Sequence, residues 1–267
     1  MVGGCRELEI MRARSLFNEL KQGGDYLLDI IFPRLCALCA KEGSFLCIDC
    51  TGGLLVWPKH LCAWCNRTDA QSNICDTCAP LLDVQDLWIG YRYDDTSIAS
   101  LIHALKFGYR ESLGADMGRA LASHIAVLPS DIEVIIPIPL DSYRAKERGF
   151  NQAFCLAKQI ALHHDLIVDT HTLIRTVSRA PQATLDAHAR ATNIHGVYAI
   201  DMKGNIPRSV LLIDDVTTTG ATLREAVSVL RNAGVQSVYA LVFAHGTPPE
   251  QAFRAHHPEG FRSGLTT

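Results

Sequence analysis

The stretch VLLIDDVTTTGAT, Val210 to Thr222, sets two adjacent carboxylates between four aliphatic residues and a threonine-rich loop with one glycine. Neighbours on an extended chain point to opposite sides, so Asp214 and Asp215 would serve the two faces of the strand that carries them. Carboxylates in that position accept hydrogen bonds from vicinal hydroxyls, or hold a metal ion through water. Thr217, Thr218, Thr219, Gly220, Ala221 and Thr222 add consecutive backbone N–H groups, hydroxyls and a glycine that permits close approach. Ahead of a helix, such a loop is a phosphate cradle. Hydroxyls bound beside a phosphate describe a ribose 5-phosphate. The rival phosphate patterns GxxxxGK(S/T) and GxGxxG are absent.

A second anion-binding element is PIPLDSYRAKERGFNQ, where Arg144, Lys146 and Arg148 crowd within five residues after a strand stiffened by Pro137 and Pro139. Guanidinium groups grip oxyanions through forked hydrogen bonds. The same residues would suit a solvated helix start equally well; their place at a strand end keeps the ligand reading open beside it. A third polar segment holds Arg175, Gln182, Leu185, Arg190 and Asn193 and has the spacing of a lid over an active site. An ordinary surface loop would look similar.

Eight of the ten cysteines form four CxxC pairs: Cys36 and Cys39, Cys47 and Cys50, Cys62 and Cys65, Cys75 and Cys78. Each CxxC knuckle supplies two of the four thiolates that tetrahedral Zn²⁺ takes, so two knuckles complete a site. Sequential pairing gives one group from Cys36, Cys39, Cys47 and Cys50 and another from Cys62, Cys65, Cys75 and Cys78; cross-braced pairing is the alternative, and the chain would carry one or two zinc ions. Four thiolates leave no open coordination position, so the metal would be structural. Redox use of CxxC calls for a βαβ setting that these pairs lack. Cys155 lies on the apolar side of a helix and should pack rather than react.

These groups need a scaffold, and the remaining pattern predicts one. The chain has 267 residues, 48% hydrophobic and 20% charged, with net charge −3, which argues against a global basic field for nucleic acid or anionic lipid. No apolar run reaches the ~20 residues of a membrane span, and the N-terminus lacks a signal-peptide pattern, so a cytoplasmic protein without stable membrane insertion is expected. After the cysteines, aliphatic strands (LWIGYRY, EVIIPIPL, SVLLIDD, SVYALVFA) alternate with amphipathic helices. One helix would bury Ile98, Leu101, Ile102 and Leu105; another, Phe150, Ala153, Phe154, Ala157 and Ile160. This predicts an α/β domain with a buried parallel sheet, which binds ligands beyond the carboxyl ends of its strands. The expected organisation is a helical arm (1–33), a double zinc-ribbon region (34–80), the α/β domain (84–247) and a polar tail (248–267).

The acid-and-loop stretch resembles the phosphoribosyl pyrophosphate (PRPP) signature of type I phosphoribosyltransferases at all thirteen positions, Val210 to Thr222. With the four CxxC pairs, FPRLC, LKF, the RGFNQ segment and the lid residues in that order, the chain resembles the ComF family of bacterial phosphoribosyltransferase-like proteins from about Phe32 to Ala244. The resemblance implies the type I phosphoribosyltransferase fold behind a small zinc-ribbon region with four-cysteine sites. It implies that Asp214 and Asp215 bind the ribose hydroxyls, that residues Thr217 to Thr222 wrap the 5-phosphate, and that Arg144 and Arg148 meet the pyrophosphate, with Mg²⁺ accompanying PRPP. It also implies a part in DNA uptake and natural transformation, with single-stranded DNA and competence or recombination proteins as partners. His245 departs from the arginine expected after the last strand. Three functions stay open: a PRPP-binding protein that handles incoming single strands; a metabolic phosphoribosyltransferase acting on a nucleobase or amine; and a non-catalytic adaptor. Arg34, Trp57, Lys59, His60 and Trp64 are the local groups that could touch DNA.

Overall fold

The computed structural model describes residues 33–59, 61–65, 73–108, 111–125, 127–176, 196–201 and 204–246. The arm before Pro33, His60, the lid residues Gln182, Leu185, Arg190 and Asn193, and the polar tail lie outside the described residues.

Five strands form the central sheet: β1 (Asp86–Arg92), β2 (Val134–Pro137), β3 (Ile167–Val168), β6 (Ser209–Thr217) and β7 (Ser237–His245). Their order is β1-β7-β6-β2-β3, and every neighbouring pair is parallel. A small antiparallel hairpin, β4 (Leu173–Arg175) with β5 (Tyr198–Ile200), stands apart. The helices are α1 (Ile48–Gly52), α2 (Ala79–Leu82), α3 (Thr96–Phe107), α4 (Glu111–His124), α5 (Ser142–Arg148), α6 (Gln152–His164) and α7 (Ala221–Asn232).

The sheet is covered on both faces, which is why Ser209 to Ile213 of β6 are all buried. Strand alternation sorts its side chains into two cores. Val210 and Leu212 pack with Leu223, Val227 and Leu230 of α7, with Tyr198, and with the cysteines Cys62, Cys65, Cys75 and Cys78. Leu211 and Ile213 pack with α3, α4 and α6, and Leu46 and Leu54 from the first cysteine region join that side.

The chain reaches both faces by crossing the sheet edge. Val56 bridges Tyr91 in antiparallel fashion, Trp57 N donates to Gly90 O at 2.9 Å and Arg92 N to Leu55 O at 3.0 Å. This crossing covers the edge strand β1, which would otherwise offer unpaired backbone groups. It also sends the two cysteine groups to opposite sides of the sheet.

Helix α3 buries the four residues that its spacing marks, and Asp95 caps it by accepting from Ser97 N at 2.8 Å. Helix α6 is gripped on more than one side. It buries Cys155, Leu156 and Ala161 besides Ala153, Ala157 and Ile160, while Phe150 and Phe154 stay partly exposed, so its apolar face is rotated from the expected one. The reason is α4. A Cβ on Gly114 would sit 2.7 Å from Cys155 Cβ, so the glycine lets the two helices touch and draws Cys155 into the contact. Cys155 therefore packs, and burial pushes its thiol up to about 12.

Candidate functional site

Strand β2 stops before β6 does, and this opens the site. The two pair from Val134↔Val210 to Pro137↔Ile213, and Ile138 N donates to Ile213 O at 2.9 Å. Pro139 has no N–H to continue. On its other side β6 stays paired with β7 through Thr217↔His245. The acids thus stand inside the last four residues of β6, where β7 still supplies partners. From β2 the chain moves outward to β3; from β6 it moves the other way to β7. The crevice between them is the switch point at which open α/β sheets bind ligands.

The two carboxylates divide between the faces as alternation requires. Asp214 shares the face of Val210 and Leu212, and Asp215 that of Leu211 and Ile213. Asp214 Oδ1 accepts from Asp215 N at 2.8 Å, and Asp215 Oδ1 from Val216 N at 2.9 Å. Asp215 Oδ2 lies 2.9 Å from Lys106 Nζ at the end of α3, an ion pair too bent for a hydrogen bond. Asp214 has Tyr198 on its side; burial foremost pushes that phenol up to about 12, and the Asp214 carboxylate adds to the shift. The Asp214 carboxyl is itself held well above the usual carboxylate range, first by burial and then by the Asp215 charge, with Lys106 opposing.

A carboxyl whose folded pKa exceeds its unfolded one penalises the fold as pH rises past the unfolded value, about 4, and the penalty levels off above the folded value. Asp214→Asn is therefore expected to raise the melting temperature at pH 8 and to leave it nearly unchanged near pH 4. The gain is about 2–4 °C per kcal/mol relieved, read by calorimetry at the two pH values.

The cationic segment leaves β2 beside this pair. Asp141 caps α5 by accepting from Tyr143 N at 2.9 Å, and Gly149, at φ +78°, ends it. Arg148 is buried and lies over the Phe107 ring at 5.7 Å. Its Nη1 donates to Gln152 Oε1 at 3.2 Å, while its buried Nε has no hydrogen-bond partner among the described residues. Burial chiefly lowers its pKa, Arg144 adds to this, and Asp215 counters it. Arg144 itself is exposed. Two guanidinium groups that repel each other, one with a buried idle donor, make a setting that an anion would relieve. Arg175 pairs with Asp141 at 3.5 Å and lies over the Tyr198 ring at 5.6 Å. A cavity of about 260 Å³ opens there, lined by Pro139, Leu140, Ser142, Leu173, Ile174 and Arg175.

On the far side of the acids, Thr217 is buried, Thr218 exposed, and Gly220 adopts φ +63° as the N-cap of α7. Among the described residues, no side chain caps that helix. The amides of its first turn are left to solvent or to a ligand, at the positive end of the helix dipole.

The eight cysteines form two groups in sequential pairing: Cys36, Cys39, Cys47 and Cys50, and Cys62, Cys65, Cys75 and Cys78. In each, all four sulfurs lie within 4.8 Å of one another. Zinc–sulfur bonds of about 2.3 Å in a tetrahedron place sulfurs about 3.8 Å apart. Cys39 and Cys47 are 3.6 Å apart, and Cys65 and Cys75 3.7 Å. Burial works against the Cys36 thiolate, yet the backbone amides of Cys47, Cys39 and Leu38 hold its pKa down to about 6. In the second group, contacts with Cys65 and Cys78 push Cys62 down, while Cys78 is pushed up by Cys62 and Cys65. Such crowded thiols suit a dication, and the donor set is that of structural zinc. Asp116 of α4 accepts from Phe45 N at 2.8 Å and Leu46 N at 3.0 Å, tying the first group to the domain.

Two site residues escape a reading of local pattern. Lys106 belongs to the LKF segment, and its only signal is a basic residue in the last turn of a helix. Trp64 is a candidate for DNA contact by composition, but its ring is buried, 8% exposed, against Gly220. Among the described residues, no helix is long and apolar enough to cross a membrane.

Comparison with known proteins agrees with this architecture. The family description "Phosphoribosyl transferase domain" matches residues 151–259, and "Double zinc ribbon domain" matches residues 27–79. The chain is 30% identical to "Competence protein F" of Haemophilus influenzae over 73% of its own length and 94% of that protein. It is 28% identical to "Competence protein ComFC" of Bacillus subtilis over 87% of this chain and 92% of the relative. With "DNA utilization protein YhgH" of Escherichia coli it shares 26% identity over 77% and 94%. A parallel α/β phosphoribosyltransferase-type domain joined to paired four-cysteine groups, in a chain that aligns with 92–94% of the length of these relatives, places the chain in the ComF family.

Proposed function

We propose that this chain binds PRPP with Mg²⁺ at the β2–β6 switch point and acts in DNA uptake by handling incoming single-stranded DNA. The observation that carries the reading is the acid pair in the crevice that β2 leaves open, with the uncapped first turn of α7 on one side and Arg148 on the other. Asp214 and Asp215 accept from the ribose hydroxyls. The amides from Thr217 to Thr222 hold the 5-phosphate. Arg148, with Arg144 near it, meets the pyrophosphate. The residues fit a divalent ion as well: a carboxylate pair, one member of which is held well above the usual carboxylate range by burial and then by its neighbour's charge, gains from a nearby dication. When bound with PRPP, Mg²⁺ supplies charge neutralisation at the pyrophosphate. Lys106 orients Asp215, and the two arginines stabilise a leaving group. The role in DNA use is supported by the names of the relatives.

A transferase reading is favoured by one observation, the cavity between the Pro139–Ser142 segment and the β4–β5 hairpin. It is large enough for a small planar acceptor. Pyrophosphate release from PRPP, dependent on one member of a panel of bases and amines, would decide for it.

The functional experiment is complementation. A transformable bacterium lacking its own family member receives either the wild-type chain or Asp214→Asn/Asp215→Asn. The wild type is expected to restore transformation; the variant, at equal protein level and metal content, is expected to restore less than about a hundredth as much, in line with loss of two charge-assisted ligand contacts. Equal restoration by both contradicts the proposal.

A further inference from the structure

The second cysteine group lies against the loop that would hold the phosphate. Trp64 stands inside its first knuckle, between Cys62 and Cys65. A Cβ added to Gly220 would fall 1.8 Å from both Cη2 and Cζ3 of that ring. The indole therefore occupies the space that a side chain at position 220 would need, and Gly220 is also in the left-handed region, at φ +63°. Arg224, in the first turn of α7, also lies over the ring, its guanidinium carbon 5.6 Å from the centroid. The knuckle holds the Trp64 backbone: Trp64 N and Cys75 N both donate to Cys62 Sγ, at 3.4 and 3.3 Å.

The other end of the loop is held from the same direction. Thr217 pairs in register with His245, and Gly246 N donates to Thr217 O at 2.9 Å. The His245 ring is buried and meets Trp57 edge-on, with centroids 5.1 Å apart. Trp57 Nε1 in turn donates to Leu61 O at 3.3 Å, next to Cys62. Gly220 thus rests on Trp64 of the second cysteine group, and Thr217 on His245 of β7, which reaches that group through Trp57 and Leu61. The first group lies on the opposite face of the sheet, among α3, α4 and α6.

We propose that the second cysteine group is the back wall of the phosphate loop and that Trp64 is a positioning residue for it, so that metal at Cys62, Cys65, Cys75 and Cys78 sets how well ordered the Thr217–Thr222 amides are. A loop that must be frozen when its ligand arrives binds weakly; one already frozen by a packed indole does not incur that cost. Trp64 belongs to the apolar core with Ile74 and Leu223, and within that core its ring sits on a left-handed glycine at the start of α7. The affinity part of the proposal rests on the phosphosugar reading above; the order part does not.

Two measurements separate them: hydrogen exchange of residues 217–224, and titration with ribose 5-phosphate. Trp64→Leu is expected to retain its full metal content by elemental analysis. Its loop amides should exchange at least about tenfold faster and its ribose 5-phosphate affinity fall about tenfold. Cys65→Ser should loosen the same amides, and Cys39→Ser, in the first group, should not. Loop exchange in Trp64→Leu equal to wild type at full metal content would overturn the proposal, as would Cys39→Ser loosening the loop as much as Cys65→Ser. If Trp64→Leu does not fold, Gly220→Ala asks the question from the other side. In a Trp57→Phe/Trp88→Phe background it should shift the Trp64 emission to the red by displacing the ring, and unchanged emission would overturn the contact. A wild type with the expected exchange pattern but no affinity for ribose 5-phosphate would support the back wall and sink the phosphosugar reading.

Discussion

Changing Asp214 and Asp215 together to alanine is expected to weaken binding of magnesium-PRPP roughly 10²- to 10⁴-fold, because two charge-assisted contacts of about 1.5–3 kcal/mol each are lost and 1.4 kcal/mol is a factor of ten. The loss should appear without unfolding. Asp214 carries a burial penalty in the ligand-free protein, so its removal relieves the fold. Asp215 holds Lys106, and removing it leaves that amine half-buried and unpaired; the two changes act in opposite directions on stability. Asp214→Asn/Asp215→Asn is the matched control, since an amide oxygen still accepts from Asp215 N and Val216 N. Calorimetric titration should show both variants equally weak. Affinity close to wild type in the asparagine pair would move the hydroxyl contacts elsewhere.

The second large effect concerns the metals. Cys62 and Cys78 are fully buried and continuous with Leu82, Leu87 and Val238 of the sheet core, whereas Cys39 is exposed. Losing a structural zinc from inside a core also leaves buried polar sulfur and unsupported packing, whereas loss from the periphery does less. Cys62→Ser/Cys78→Ser is therefore expected to lower the melting temperature more than Cys36→Ser/Cys39→Ser. A difference of about 5 kcal/mol corresponds to about 10–20 °C at this size. Native mass spectrometry should show one metal lost from each variant. Equal melting temperatures would mean that the second group does not share the core of the domain.

The sequence carries the chemistry of the site in its own residues. Adjacent acids and a threonine-glycine loop after four aliphatic residues are local, and so is a CxxC knuckle; each could be read without knowing the fold. The aliphatic strands reveal a buried parallel sheet because both faces of β6 are apolar. What lay beyond reading was every feature set by contacts distant in the chain. Whether Asp214 follows or ends a strand depends on where β2 and β7 stop, not on residues 210–222. Arg144 and Arg148 look alike in sequence, yet one is exposed and the other buried beneath Phe107 and beside Gln152. Lys106 meets Asp215 across more than a hundred residues. Trp64 reads as a rim aromatic in a zinc ribbon and is instead the neighbour of Gly220. The short extended pairing at Val56, which places the two cysteine groups on opposite faces, has no sequence signal apart from its β-branched residue.

The most direct test of the phosphosugar seat is to follow backbone amide shifts while ribose 5-phosphate is added to the wild-type protein. The account expects one saturable site per chain, with the largest shifts at Thr218 to Thr222 and smaller ones at Asp214 and Asp215. Shifts confined to other regions, or none at millimolar ligand, would contradict it.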